Sequence, residues 1–160
     1  MFWISIQRKR KTTKNYKEKL PQGLLIQQLA GLKRGYDVTD EEGNILHRNS
    51  ELTLPPRKSR SYAYCSDTAY NENIIEQLKG IDVLYHEATF TVDEESKARD
   101  TLHSTAREAG MIAAKANVSS LILGHFSARY KELDPILEEA KTVFEKVQLG
   151  VEGSIFAIED

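Results

Sequence analysis

The sequence predicts an α/β fold, a sheet built from βαβ units with helices packed on it. Three observations carry this reading. Short apolar runs alternate in the second half of the chain with segments of helical spacing, in the order strand, helix, strand, helix, strand, helix, strand. Three of those runs stop abruptly in titratable residues: 61–65 before Asp67, 81–85 before His86 and Glu87, and 121–123 before Gly124 and His125. One helical segment carries Ala106, Ala109, Ala113 and Ala116 on a single face, which suits close packing on a sheet.

Each element has its own local reason. Leu24, Leu25, Leu29 and Leu32 recur at helical spacing within 20–33, with Pro21 in the first turn and Gly35 as the stop. Residues 36–46 read as two short strands around Glu42-Gly43-Asn44, a hairpin. Residues 51–60, with Pro55-Pro56, read as a rigid loop. The strand at 61–65 is followed by Asn71, which can cap a short helix carrying Ile74, Ile75 and Leu78 and closed by Gly80. After the strand at 81–85, an acidic stretch at 93–100 leads to His103. Thr105 and Glu108 form a capping box for the alanine-faced helix. The strand at 121–123 precedes Asp134-Pro135, which opens a helix expected to run to about Glu145. Residues 154–158 are expected as a last strand.

Composition narrows the classes. The 160 residues suit one ordinary domain, and 40% hydrophobic with 29% charged residues describes a globular chain. The single Cys65 excludes an intrachain disulfide and a cysteine-rich zinc site, and fits a reducing cytoplasm. No run is long enough to span a membrane. Residues 1–6 are too short for a signal peptide and have no basic region before them. Residues 8–19 carry seven Lys or Arg against Glu18, a balance of +6 in a chain of net −2, which leaves −8 elsewhere. Residues 1–19 are therefore expected as a separate basic lead ahead of a domain at 20–160. The lead is either an arm that attracts nucleic acid or a solvated, disordered tail, and the lack of stacking aromatics beyond Tyr16 favours the tail.

The titratable groups should gather on one edge, since equivalent strand ends in an α/β sheet lie together and ligands sit there. Asp67 could bridge two cations, which an imidazole cannot. His125 could supply neutral nitrogen to zinc. A histidine left off the metal could give a proton to a leaving alkoxide. Each also has a plainer reading: Asp67 as a turn former, His86 as a core histidine, Glu87 as a loop holder, His125 as a satisfied strand-end histidine.

At these residues the sequence resembles the tRNase Z (ribonuclease Z) family of the metallo-β-lactamase superfamily, from about Leu20 to Ile158. The resemblance rests on Ser66-Asp67-Thr68, on His86-Glu87-Ala88-Thr89-Phe90, on His103-Ser104-Thr105 and on Gly124-His125-Phe126-Ser127-Ala128-Arg129-Tyr130. The diproline loop before Arg57 and Asp37-Val38-Thr39 resemble it as well. It implies half of an αββα sandwich, a mixed sheet with helices on one face. It implies a zinc-dependent, cytoplasmic endoribonuclease that processes tRNA 3′ ends by phosphodiester hydrolysis, with precursor tRNA as substrate. Asp67 and His125 would be metal ligands. His103 would be the unliganded histidine that donates a proton, supported by Glu87. Ser127, Arg129, Ser104 and Thr105 would orient loops or contact tRNA phosphate.

The four histidines, His47, His86, His103 and His125, include no His-x-His-x-Asp-His pattern, which the family carries near its start. The resemblance therefore implies the C-terminal half of the enzyme. Its partner would be the missing N-terminal half or a second copy, and at most one of the two zinc ions would be held, weakly. The alternatives are an inactive half that binds a partner chain or only folds, and another hydrolase of the same fold, such as a phosphodiesterase. The Ser127-Ala128-Arg129-Tyr130 and His103-Ser104-Thr105 segments favour tRNase Z over the last. A lone half should also expose an apolar sheet face.

Overall fold

The computed structural model describes residues 3–8, 12–55 and 59–158. In chain order the elements are β1 (Trp3–Arg8), β2 (Lys14–Asn15), α1 (Ile26–Arg34), β3 (Val38–Thr39), β4 (Ile45–His47), α2 (Asn49–Leu52) and β5 (Thr53–Leu54). There follow β6 (Ser61–Ser66), α3 (Ile75–Leu78), β7 (Val83–Glu87), α4 (Glu95–Thr101), α5 (Ala106–Ala116), β8 (Ser120–Gly124), α6 (Asp134–Lys141) and β9 (Val147–Leu149). The chain divides into two compact units, one of residues 1–8 and 60–159 and one of 9–59 with 160.

The larger unit is a five-stranded mixed sheet in the order β1-β6-β7-β8-β9. Strands β6 to β9 are parallel, as βαβ crossovers require, and β1 closes one edge antiparallel to β6, pairing Trp3 with Ser66 and Arg8 with Ser61. Alternation along the strands divides the side chains between two faces. Ala63, Cys65, Leu84, Leu121 and Leu123 join Ile112, Ile136 and the alanines of α5 in one buried core. Ala106, Ala109, Ala113 and Ala116 are wholly buried, and a Cβ on Gly110 would stand 3.0 Å from the Ala140 carbonyl. Small residues thus let α5 lie tight between the sheet and α6. On the opposite face Tyr62, Val83, Tyr85 and Ile122 line a groove of about 350 Å³ with Gly150, Val151, Phe156 and Ile158. Tyr64 stacks on Tyr85 with ring centres 4.6 Å apart.

The smaller unit packs Leu32, Val38 and Leu52 with Leu20, Leu24 and Leu29. The β3–β4 hairpin turns where Asp40 accepts from the Glu42 and Asn44 amides. His47 lies in β4 of this unit.

The structure corrects the sequence reading in several places. Helix α1 starts at Ile26, because Pro21 and Gly23 spend the preceding residues on a turn and the Gln28 side chain caps the Leu25 amide. Residues 49–54 form a helical turn and a short strand rather than open loop; Pro56 and Arg57 lie outside the described residues. Helix α6 ends at Lys141, not Glu145. The last strand is β9 at Val147–Leu149, held to β8 and followed by a 2.7 Å hydrogen bond from the Gly150 amide to the Leu123 carbonyl. Residues 154–158 form no strand: Phe156 and Ile158 line the groove over the sheet, while Ile155 is 97% exposed. Strand β1 lies within residues 1–19, a stretch in which charge rather than a strand was expected; Lys9 to Lys11 lie outside the described residues.

Candidate active site

Strands β6, β7 and β8 are adjacent and parallel, in the register Cys65 with His86 and Glu87 with Gly124. Their carboxyl ends therefore sit side by side. Asp67 is the first residue after β6 and His125 the first after β8, and both adopt left-handed backbone, φ 51° and 58°. Non-glycine residues in that region are uncommon and cluster at functional sites. Gly124 has its own reason to lack a side chain, since a Cβ there would lie 2.1 Å from the Tyr85 hydroxyl.

Glu87 is the hub. Its side chain is fully buried, and it accepts from the Thr68 amide at 2.5 Å, the Thr89 hydroxyl at 2.7 Å and the Ser104 amide at 3.1 Å. His103 Nδ1 lies 3.0 Å from Glu87 Oε2 and 3.2 Å from Oε1. A carboxylate with four such partners has its acceptor capacity used and is no metal ligand. It fixes the ring of His103 with Nδ1–H toward itself and Nε2 outward.

His125 is held through an intermediary. Thr89 Oγ1 stands 3.0 Å from His125 Nδ1 and has one proton, which the Glu87 carboxylate takes best. His125 Nδ1 must then donate to Thr89, and its Nε2 keeps a lone pair. That lone pair faces Asp67 Oδ1 at 3.3 Å. Two acceptors so close suit a cation held between them. The rings of His103 and His125 are 5.2 Å apart. Among the described residues, Asp67, His103 and His125 offer donor atoms all within 4.8 Å of one another. One carboxylate with imidazole nitrogen is a set that zinc takes, and an orienting hydrogen bond on the other ring nitrogen is the usual support. The residues fit one ion.

The remaining candidates brace this edge. Ser104 is buried and donates to the Thr68 carbonyl at 2.6 Å. Thr105 is buried and caps α5 in the capping box with Glu108. The Ser127 amide donates to the Thr89 carbonyl, and its hydroxyl accepts from Arg129 Nε at 3.2 Å. Arg129 also pairs with Glu94 at 2.9 Å. His86, at the same strand end, turns into the core. Its Nδ1 donates to the Glu87 carbonyl, its Nε2 has no partner among the described residues, and burial lowers its pKa from the ordinary 6.5.

Sequence reasoning gave no role to Thr89. Tyr130 accepts from the Thr91 amide at 2.9 Å and ties down the loop that carries Thr89. The signal for Thr89 was its place two residues after Glu87, beyond the strand end.

The geometry has known counterparts. Residues 42–126 match the family model described as "Beta-lactamase superfamily domain". The ribonuclease Z of Cytophaga hutchinsonii is 46% identical over 95% of this chain, and that of Parabacteroides distasonis 44% identical over 80%. The chain spans about half the length of these curated relatives, 49% and 42%. Among solved structures, the metallo-beta-lactamase fold protein YhfI of Bacillus subtilis is 28% identical with a TM-score of 0.57, over 61% of this chain and 40% of that one. A long form RNase Z from yeast is 26% identical with a TM-score of 0.54, over 60% of this chain and 13% of that one. The chain belongs to the beta-lactamase superfamily, has the metallo-beta-lactamase fold, and within that family is similar to ribonuclease Z.

Proposed function

We propose that this chain is the proton-donating and part of the metal-holding portion of a zinc-dependent, cytoplasmic endoribonuclease that trims the 3′ end of precursor tRNA. The observation that carries the reading is Glu87 serving both histidines, His103 directly and His125 through Thr89. Asp67 and His125 would hold the metal, with His103 kept for the proton. Zinc bound there supplies Lewis acidity at the phosphoryl oxygen and a more acidic water.

The chain's own residues do the rest. Glu87 points His103 Nε2 outward, and a cationic ring in that pose hands its Nε2 proton to the leaving oxygen. A positioned general acid is worth roughly 10²–10⁴-fold. The strained turns at Asp67 and His125 bring their donor atoms to one edge before any substrate arrives.

A second reading has its own observation. The groove lined by Tyr62, Tyr85, Ile122 and Phe156 is an apolar surface of the kind that another chain covers, so the polypeptide could act as a binding half without cleaving RNA. One assay separates the two. The chain is incubated with a precursor tRNA, alone and with a polypeptide supplying a His-x-His-x-Asp-His segment. The proposal expects no useful cleavage alone, cleavage with the second polypeptide, and loss of it on His103→Ala. Association of the two polypeptides without cleavage would leave the binding half as the correct reading.

A further inference from the structure

Phe90 is 4% exposed and stands beside the site, its ring edge-on to His103 with centres 6.3 Å apart. Two cations lie against it. The Arg129 guanidinium carbon is 5.2 Å from the ring centre and the Lys97 ammonium 6.0 Å. Each lies within cation–π range, which narrows where a long side chain puts its charge. Lys97 occupies α4, five residues before the αL residue Leu102 (φ 60°) that turns the chain into His103. Among the described residues its ammonium has no carboxylate partner.

Arg129 is held differently. Its Nε donates to Ser127 and its Nη1 to Glu94. A guanidinium has five donors, so three remain. Both partners of the Arg129–Glu94 pair are about a third or more exposed, 34% and 41%, so solvent can compete for it. The surrounding segment is acidic, with Asp93, Glu94, Glu95 and Asp100 against Lys97 and Arg99, and Arg99 is paired with Glu95. A polyanion meets a mostly repelling surface here except at the two cations on Phe90.

We infer that Lys97 and Arg129 form a two-cation RNA phosphate subsite built on Phe90 beside His103, with Glu94 as the counter-ion that a phosphate must displace. The inference rests on the endoribonuclease reading above, in which the family resemblance already implies Arg129, and adds Lys97 and Glu94 to it. Lys97 contributes a point charge, Arg129 a fork already aimed by Ser127, and Glu94 keeps the fork from binding weaker anions. A bound phosphate takes the open donors of Arg129 and the Lys97 ammonium together, and Glu94 turns to solvent.

The test is fluorescence anisotropy with a labelled RNA stem carrying a single-stranded 3′ extension, titrated with the full chain at several salt concentrations. Lys97→Ala should weaken binding several-fold and reduce the slope of log K against log salt by about one. Lys97→Arg should restore both, and Glu94→Gln should tighten binding. All are surface changes, and circular dichroism checks the fold. Lys97→Ala with the wild-type affinity and slope would overturn the subsite while leaving the endoribonuclease reading intact. Unchanged affinity in Glu94→Gln would remove the counter-ion. Failure of the wild-type chain to bind the RNA at any salt would overturn the subsite together with the reading it rests on.

Discussion

Glu87 and His103 come from elements 16 residues apart, yet the histidine Nδ1 lies 3.0 Å from a carboxylate oxygen that is wholly buried. The carboxylate also gathers the Thr68 and Ser104 amides and the Thr89 hydroxyl, so it joins three loops at one point. Glu87→Gln puts an amide against these donors and leaves some unsatisfied. The expected cost is about 1–3 kcal/mol, read as a lower urea midpoint. A midpoint equal to wild type would deny Glu87 its bracing role.

Gly124 should tolerate no side chain while Tyr85 is present. The Cβ of Gly124→Ala would meet the Tyr85 hydroxyl at 2.1 Å and two ring carbons at 2.5 and 2.6 Å. Overpacking of this kind costs about 1–3 kcal/mol. Tyr85→Val removes all three atoms. The double variant should therefore be more stable than the sum of the single effects predicts, by a double-mutant cycle in urea. Simple additivity would show that the two sites do not meet.

Acidification should destabilise the chain through His86. Burial depresses its folded-state pKa below the ordinary 6.5, and the hydrogen bond to the Glu87 carbonyl offsets this only in part. The unfolded chain binds the proton first. The contribution is therefore complete above about pH 6.5 and is lost as pH falls toward the folded value, with a slope of at most ~1.4 kcal/mol per pH unit for one proton. His86→Leu should flatten the stability profile below pH 6.5. An unchanged profile would place the acid sensitivity elsewhere.

Cys65 should resist thiol reagents. It is fully buried in the core under α5, and burial pushes its thiol up to about 12. Modification by a disulfide reagent should be slow in native buffer and complete in urea. Fast native labelling would mean that the core opens readily.

Much of this architecture was legible. Strands β6, β7 and β8 are short apolar runs with polar ends, and their parallel pairing follows from the helices between them. That pairing brought Asp67, Glu87 and His125 to one edge, as their strand-end positions implied. The capping box at Thr105 was visible in four residues. Other features depend on distant partners. Val147–Leu149 is too short to show a period and is a strand only because β8 pairs with it. Strand β1 adjoins basic residues, and its pairing with β6 spans more than 50 positions, so charge masked it. Thr89 gained its role from His125, 36 residues away, which no local pattern encodes.

The most direct test is zinc titration of the purified chain, with bound metal counted after dialysis, in wild type, Asp67→Ala and His103→Ala. Asp67 and His125 face each other at 3.3 Å with an acceptor on each side, while His103 is held by its Nδ1 at 3.0 Å from Glu87. The wild-type chain should hold no more than one zinc, lost on Asp67→Ala and retained on His103→Ala. Equal zinc in wild type and Asp67→Ala, or loss of the metal on His103→Ala, would refute a metal site on Asp67 and His125.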